Sequence, residues 1–168
     1  MSENIQKVQL KSIEKKTNIL SLILAIAILA IGVALFFFSG SFDNNILSST
    51  IIFIGVIAIA FSLYIFIAKT KINVYTKTGS LIVKKNIFFD TSDFYALKSA
   101  LENNDFQPIK KAKKIDEGNI QIYALYSKDN KFAAVQLLKY EPFDFIPQTN
   151  IIVMENEKAE DFIKSIAA

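Results

Sequence analysis

Two long apolar runs stand near the start of the chain, and a short polar segment separates them. The first run occupies residues 19–38 and the second residues 46–68, and neither contains a charged side chain. Each run exceeds the ~18 apolar residues that mark a candidate membrane-spanning helix. Neither run alternates apolar and polar residues as the strands of a membrane barrel do. The pattern therefore predicts a transmembrane helical hairpin over residues 19–68, with its turn at residues 39–45.

Two other interpretations of the apolar runs conflict with their surroundings. A buried hairpin in a soluble core would need more chain to cover two helices that are apolar all round. A cleaved signal peptide has a shorter apolar region, followed by small residues of the A-x-A type, and no such site follows Phe38. We therefore interpret the first run as an uncleaved signal anchor.

The lysines that flank the two runs predict their orientation. Four lysines precede the first run and two follow the second at once, whereas the turn at residues 39–45 contains none. Cytoplasmic flanks of membrane spans carry such an excess. We expect both termini to be cytoplasmic and the turn to be external. The chain then divides into a cytoplasmic flank at residues 1–18, the hairpin at residues 19–68 and a cytoplasmic domain at residues 69–168.

The pattern changes to short alternating and β-branched runs after the second span. Residues 72–76 and 81–89 are predicted strands, and the glycine-containing turn between them predicts a β-hairpin. Asp90 or Thr91 is a candidate N-cap for a helix over residues 92–103, where the apolar positions fall on one face. Pro108 is expected to lie beyond the end of that helix.

The rest of the domain begins with a lysine-rich stretch. Residues 110–118 are predicted to form a mobile loop, and residues 120–127 and 131–140 a second hairpin. A last strand is expected at residues 150–154, and a final helix begins near Asn156. The order ββ-α-βββ-α predicts an α+β domain with a largely antiparallel sheet and both helices on one face.

The composition narrows the chemistry that this chain can perform. Its 168 residues include no cysteine, histidine, arginine or tryptophan, and lysine supplies every positive side chain. Without histidine the commonest general base and metal ligand are missing, and without cysteine there are no disulfides or thiolate sites. The net charge of +3 is spread along the chain and forms no clustered footprint for nucleic acid.

The sequence contains no motif for catalysis, cofactor binding or metal binding. Glycine-rich phosphate loops, nucleophile elbows and the H-E-x-x-H pattern are absent. Carboxylates do occur in pairs, and helix capping, a turn and an exposed helix face explain most of them. The pairs are Asp90/Asp93, Asp116/Glu117, Glu141/Asp144 and Glu160/Asp161. We expect a protein without enzymatic activity, cofactor or metal.

A basic cluster provides candidate contacts with an anionic membrane surface. Each lysine near such a surface contributes about 1 kcal/mol, and the domain follows the second span without a long linker. The alternative interpretation, which the neighbouring Asp116 and Glu117 favour, is a solvated loop. The lysines of the cluster are Lys110, Lys111, Lys113 and Lys114.

An aromatic loop between Pro142 and Pro147 provides the candidate contacts with a protein partner. Phe143, Phe145 and Ile146 are costly to expose, and aromatic residues dominate the energetics of many interfaces. The alternative is that these side chains fold over the end of the sheet as part of the core.

Several short motifs of the domain resemble those of a group of bacterial proteins. The motifs are Thr78-Gly79-Ser80, Lys84-Lys85, the stretch from Lys131 to Leu137, and Tyr140-x-Pro142-x-x-x-x-Pro147. Over most of the domain the chain resembles small uncharacterised two-span membrane proteins of Bacteroidetes-type bacteria. The resemblance implies one small bacterial domain and transfers no activity and no site.

These observations predict a non-catalytic accessory or scaffold protein of the bacterial inner (cytoplasmic) membrane. Charge-free spans argue against a pump, a transporter or a channel, so the hairpin is expected to anchor the chain in the bilayer. The cytoplasmic domain is expected to bind a protein partner or a second copy of the chain. The alternatives are a sensor of anionic lipid surfaces and a membrane-anchored immunity protein against a toxin.

Overall fold

The computed structural model describes residues 3–167 and confirms the predicted α+β class. Two long apolar helices precede a sheet-rich domain of antiparallel strands and helices. The described chain forms two compact units. Residues 15–73 make up one of them, and residues 3–14 together with residues 74–167 make up the other.

The unit of residues 15–73 contains both long helices. Helix α1 spans Ile19–Phe38 and α2 spans Asn45–Lys69, with a short 3-10 turn at Ser39–Ser41 between them. An asparagine caps each N-terminus: Asn18 accepts a hydrogen bond from Ser21 N and Asn44 accepts from Ile46 N and Leu47 N. These caps satisfy backbone donors that the first helical turn leaves unpaired. The helices agree with the predicted runs to within one residue at each end.

Small residues line the contact between α1 and α2. Buried Ala25 and Gly32 recur seven residues apart on α1, as buried Gly55 and Ser62 do on α2, which is the heptad spacing of a coiled-coil seam. A Cβ added to Gly32 would lie 2.8 Å from Ile59 Cγ1 and 3.0 Å from the Gly55 carbonyl oxygen. Ser62 Oγ donates to the Ala25 carbonyl oxygen at 2.7 Å. Small side chains therefore permit a close backbone approach between the two helices.

Both helices are long and apolar enough to cross a membrane. Only 11% of the most apolar window of the first helix and 17% of that of the second are buried within the protein. A core helix of a soluble protein would bury most of its surface, so the exposed apolar faces are typical of membrane-spanning segments.

Strand β1 at Ile13–Thr17 pairs with β2 at Lys71–Tyr75 in a two-stranded sheet. The predicted hairpin of residues 72–76 with residues 81–89 is present only beside its turn, because the rest of the second strand joins the large sheet. A single bridge between Val74 and Leu81 is what connects these two strands.

A six-stranded antiparallel sheet forms the centre of the other unit. Its order is β4-β3-β5-β6-β7, and β8 pairs with the opposite end of β6 from β7. The predicted hairpin of residues 120–127 and 131–140 is present as β5 and β6. The bounds are Ile82–Phe89 for β3, Lys114–Ile115 for β4, Ile120–Ser127 for β5, Phe132–Glu141 for β6, Asp144–Pro147 for β7 and Ile152–Glu155 for β8.

Three helices cover one face of this sheet and bury the main core with it. They are α3 at Phe94–Asn103, α4 at Gln107–Lys111 and α5 at Glu157–Ala167. The first and last confirm the predicted helices. The predicted mobile loop at residues 110–118 is wrong, because α4 and β4 occupy much of it. Pro108 lies beyond the end of α3, as predicted, but in the first turn of α4, where a missing N–H costs nothing.

The N-terminal segment covers the opposite face of the sheet. Ile5 is 2% exposed and belongs to a second apolar cluster with Tyr75, Phe132 and Leu138. Residues 1–18 are predicted to form a flank apart from the domain, whereas residues 3–14, which we call the strap, pack within it. Without the strap this apolar face of the sheet would lie in water. The cost of that exposure is the physical reason why residues 3–14 pack on the domain and do not form a separate flank.

Candidate functional site

The turn between β6 and β7 holds Phe143 in an unfavourable conformation. Glu141 pairs with Asp144 across the hairpin, so Pro142 and Phe143 form a two-residue turn. Phe143 has φ +80°, and proline fixes its own φ near −65°, which together match the signs of a type II turn. The position of Phe143 in such a turn normally holds glycine or asparagine. A bulky residue there is a genuine outlier.

The structure separates the three candidate partner contacts. Phe143 is 97% exposed, whereas Phe145 and Ile146 are half-buried. Phe145 packs against the apolar cluster beneath the strap, and its carbonyl oxygen accepts a hydrogen bond from Asn4 Nδ2 at 3.3 Å. The core interpretation therefore describes Phe145, while Phe143 stands in solvent at the tip of the hairpin.

A shallow groove of about 540 Å³ lies at the same end of the sheet. Phe145 forms one wall, with its ring centroid 6.1 Å from that of Phe88 and 5.4 Å from that of Tyr140. The ring planes are inclined at 51° and 61° to that of Phe145. Tyr140 N donates to the Asn119 carbonyl oxygen at 2.7 Å and fixes one side of the opening. The groove is therefore concave and aromatic.

Gly118 shapes the floor of this groove because no side chain fits there. A Cβ at this position would lie 2.7 Å from the Phe89 carbonyl oxygen and 2.8 Å from Ile115 Cδ1. The neighbouring Glu117 and Asn119 complete the lining and are exposed. The rim is consequently acidic and polar, while the walls are apolar.

An ion pair ties the hairpin to the strap. Lys7 Nζ lies 3.1 Å from Asp144 Oδ2, with both side chains largely in solvent. The hydrogen bond from Lys7, followed by one from the backbone N–H of Phe145, lowers the pKa of Asp144 below its ordinary value. Asp144 is thus held as a carboxylate whose charge Lys7 offsets, and Glu117 forms no ion pair within residues 3–167.

The four lysines proposed for a membrane surface differ in their exposure and contacts. Lys110 and Lys111 lie on α4, Lys113 follows it, and all three are exposed. Lys114 lies on β4, where Nζ donates to the Ser165 and Ile166 carbonyl oxygens at 3.4 and 3.3 Å. Burial, and then the charge of the nearby Lys85, lower the pKa of Lys114. Lys114 therefore serves the C-terminal end of α5, where cations are stabilising.

A second cavity of about 390 Å³ lies between α4 and α5 and is lined by mixed charges. Lys110, Asp105, Asp161 and Lys164 contribute both signs, so no single charge dominates it. Within residues 3–167 no three or more histidine, cysteine or acidic side chains form a group suited to a metal ion. Asp90 caps the 3-10 turn before α3, where Ser92 N donates to it at 2.9 Å, as expected from the sequence.

The residues that line the groove beside Phe145 are not among the sites predicted from the sequence. Phe88, Glu117 and Tyr140 come from three different segments, and only the register of β3, β5 and β6 brings them together. The loop predicted between Pro142 and Pro147 is instead a two-residue turn followed by strand β7 at Asp144–Pro147. No local pattern marks Phe88 as a neighbour of Phe145.

No protein-family model, no curated protein and no solved structure matches this chain. The geometry of the hairpin and groove is therefore the basis for a functional proposal.

Proposed function

We propose that this chain is a non-catalytic accessory protein of the bacterial inner membrane whose domain binds a protein partner at the tip of the β6–β7 hairpin. The helical hairpin anchors the chain, and both termini are cytoplasmic. The observation that carries the proposal is Phe143, which is 97% exposed at a φ of +80°.

The energetics of Phe143 support a role outside the folded chain. An aromatic side chain in water forgoes about 1.5–3 kcal/mol of burial, and a residue in a sparsely populated backbone region costs roughly another 1–3 kcal/mol. Phe143 combines both costs and packs against almost nothing within its own domain. An aromatic anchor that fills a pocket on a partner would recover the first cost.

The two chain segments that form the domain support the placement of both termini on the same side of the bilayer. The strap and residues 74–167 belong to one compact unit, although both membrane helices lie between them in the chain. Residues that share a folded unit lie on the same side of a bilayer, which requires an even number of crossings. This argument is independent of the lysine asymmetry, and both favour a two-span hairpin.

A site-specific crosslinking experiment tests the partner-binding role. A photoreactive phenylalanine replaces Phe143 in the full-length chain in cells, and Tyr95, which is 81% exposed on α3, receives the same group as a matched control. We expect a defined crosslinked species from position 143 and none from position 95. The species should disappear when the unlabelled wild type is overexpressed in competition. Equal or absent crosslinking at both positions would contradict the proposal.

A pair of reporter fusions tests the topology. A reporter inserted after Asn45 should be active only outside the cytoplasm, and one fused after residue 168 only inside it. The opposite pattern would invert the placement of the domain and its proposed partner.

A further inference from the structure

We propose that the groove walled by Phe88, Tyr140 and Phe145 binds a cationic side chain, arginine or lysine, of the partner. This inference rests on the proposed function and specifies what the partner presents beside the Phe143 contact. Tyr140 and Phe145 line the groove, and they pair across the same hairpin that carries Phe143 at its turn. One partner surface can therefore reach both the groove and the hairpin tip.

The arrangement of the three rings suits a cation. Aromatic faces carry negative charge density and attract an ammonium or guanidinium group within about 6 Å of the ring centroid. The inclined planes of Phe88, Tyr140 and Phe145, with neighbouring centroids 5.4 and 6.1 Å apart, form a concave surface rather than a flat stack. An apolar side chain of the partner would fit the walls equally well. The charge at the groove therefore decides between an apolar and a cationic side chain.

Among the residues that line the groove, the one charged side chain is an acidic one. Glu117 lines the rim and forms no ion pair within the described residues. Lys7 offsets the charge of Asp144, an acidic neighbour on the hairpin. A phosphate or carboxylate would be repelled here, whereas a cation would gain a partner.

The same face of the sheet already uses this kind of contact. Lys84 Nζ lies 4.9 Å from the centroid of the Tyr123 ring, and Tyr123 is on the same strand and the same face as Gln121, the direct cross-strand neighbour of Phe88. Elsewhere in the described chain, Lys139 Nζ lies 5.8 Å from the centroid of the Phe94 ring. Neither of these two contacts involves a ring of the groove, so its rings are available to a cation from outside the chain.

The test uses fluorescence of the full-length chain in detergent micelles. The wild type contains no tryptophan, so Tyr140→Trp provides a single reporter in the groove, and Tyr95→Trp provides a matched reporter elsewhere. The probes are a capped glycine–arginine–glycine peptide and the same peptide with citrulline, which is neutral and has nearly the same shape. We expect the Tyr140→Trp protein to bind the arginine peptide about five- to thirty-fold more tightly than the citrulline peptide. This ratio corresponds to a difference of about 1–2 kcal/mol in binding free energy. The Tyr95→Trp protein should show no signal that distinguishes the two.

Two further variants separate charge from shape in the Tyr140→Trp background. Phe88→Leu keeps an apolar wall without an aromatic face, and Glu117→Gln removes the rim charge. Each should reduce the preference for arginine over citrulline and leave citrulline binding unchanged. Far-ultraviolet circular dichroism checks that both variants fold.

The outcomes distinguish this inference from the proposed function. Equal binding of the two peptides by the Tyr140→Trp protein would overturn the cation site, even if position 143 crosslinks to a partner. A preference for arginine that survives both Phe88→Leu and Glu117→Gln would overturn the assignment to this groove. Selective crosslinking at position 143 with a lost arginine preference in these variants would support both.

Discussion

Gln136 is one of the residues that hold the strap on the sheet. Its side chain is fully buried, and Oε1 accepts a hydrogen bond from Ile5 N at 2.8 Å. Its Nε2 donates to the carbonyl oxygens of Glu3 at 2.8 Å and Thr149 at 2.9 Å. One amide therefore satisfies several backbone groups of the strap and of the segment before β8, and removing it would leave them unpaired.

Gln136→Leu should destabilise the protein by about 3 kcal/mol, because each buried group that loses its partner costs about 1–3 kcal/mol. Gln121→Leu is the matched control: a buried glutamine on the same face whose Oε1 has no partner in the described chain. The control should be neutral or slightly stabilising. Denaturant titration of the full chain in detergent measures both, and an equal loss in the two variants would contradict the role given to Gln136.

Phe143→Gly should stabilise the folded chain by about 1 kcal/mol, because glycine adopts a positive φ without steric cost. The side chain buries almost no surface, so its removal loses little packing. We expect the melting temperature to rise by about 2–4 °C, while binding to the partner falls. A lower melting temperature would show that Phe143 contributes to the fold itself.

At the scale of elements, the seam between α1 and α2 depends on glycines at the crossing point. A Cβ on Gly32 would face backbone at 3.0 Å, and backbone cannot move aside as a flexible side chain can. The hairpin thus has one well-defined packing arrangement, which suits an anchor.

Gly32→Val should loosen this seam at a cost of about 1–3 kcal/mol, the usual penalty for overpacking. Gly40→Ala is the control, because a Cβ there would meet nothing within 4 Å. Energy transfer between dyes on the two helices reports their separation. We expect lower transfer for Gly32→Val than for the wild type and unchanged transfer for Gly40→Ala. Unchanged transfer in both would contradict the tight seam.

The attachment of the strap to the β6–β7 hairpin should weaken in acid. Lys7 lowers the pKa of Asp144 below 3.8, so the folded carboxylate is a weaker base than the unfolded one. The contribution of the Asp144 carboxylate to folding stability is complete above its unfolded-state pKa and is lost as the pH falls through its folded-state pKa. The difference in melting temperature between the wild type and Asp144→Asn should therefore shrink below pH 3.8. A constant difference across this range would contradict the ion pair.

At the scale of the whole molecule, the domain is discontinuous in sequence. Residues 3–14 and 74–167 share one unit, and the apolar cluster beneath the strap draws on both parts. The boundary expected from sequence, at residue 69, would leave this face uncovered.

A fragment of residues 69–168 should therefore expose an apolar face and bind a hydrophobic dye. The same fragment with residues 3–14 joined to its start through a flexible linker should bind much less dye and show dispersed amide resonances. Equal behaviour of the two fragments would mean that the strap is dispensable for folding.

Local patterns were enough to predict the elements whose contacts lie nearby in sequence. The length of the apolar runs predicted α1 and α2, and the alternation of apolar and polar residues predicted the hairpin of β5 and β6. The strap was missed because its contacts with Gln136 span 131 and 133 residues and leave no local periodicity. The prolines predicted a loop between Pro142 and Pro147. The two-residue turn and strand β7 were not predicted, because the positive φ of Phe143 departs from the usual residue preference. The groove could not be predicted because its residues meet only through the register between strands, and the sequence of one strand does not determine that register.

The strap also sets the order in which this protein can mature. Ile5 leaves the ribosome 131 residues before Gln136, the side chain that receives it. At synthesis rates of roughly 5–20 residues per second, the interval is on the order of ten seconds. During that time both apolar helices emerge and become available to the insertion machinery. The strap has no sheet to bind until both helices have emerged. The proposed membrane insertion can therefore begin before the domain is complete, and the proposed partner would then meet chains that are already inserted.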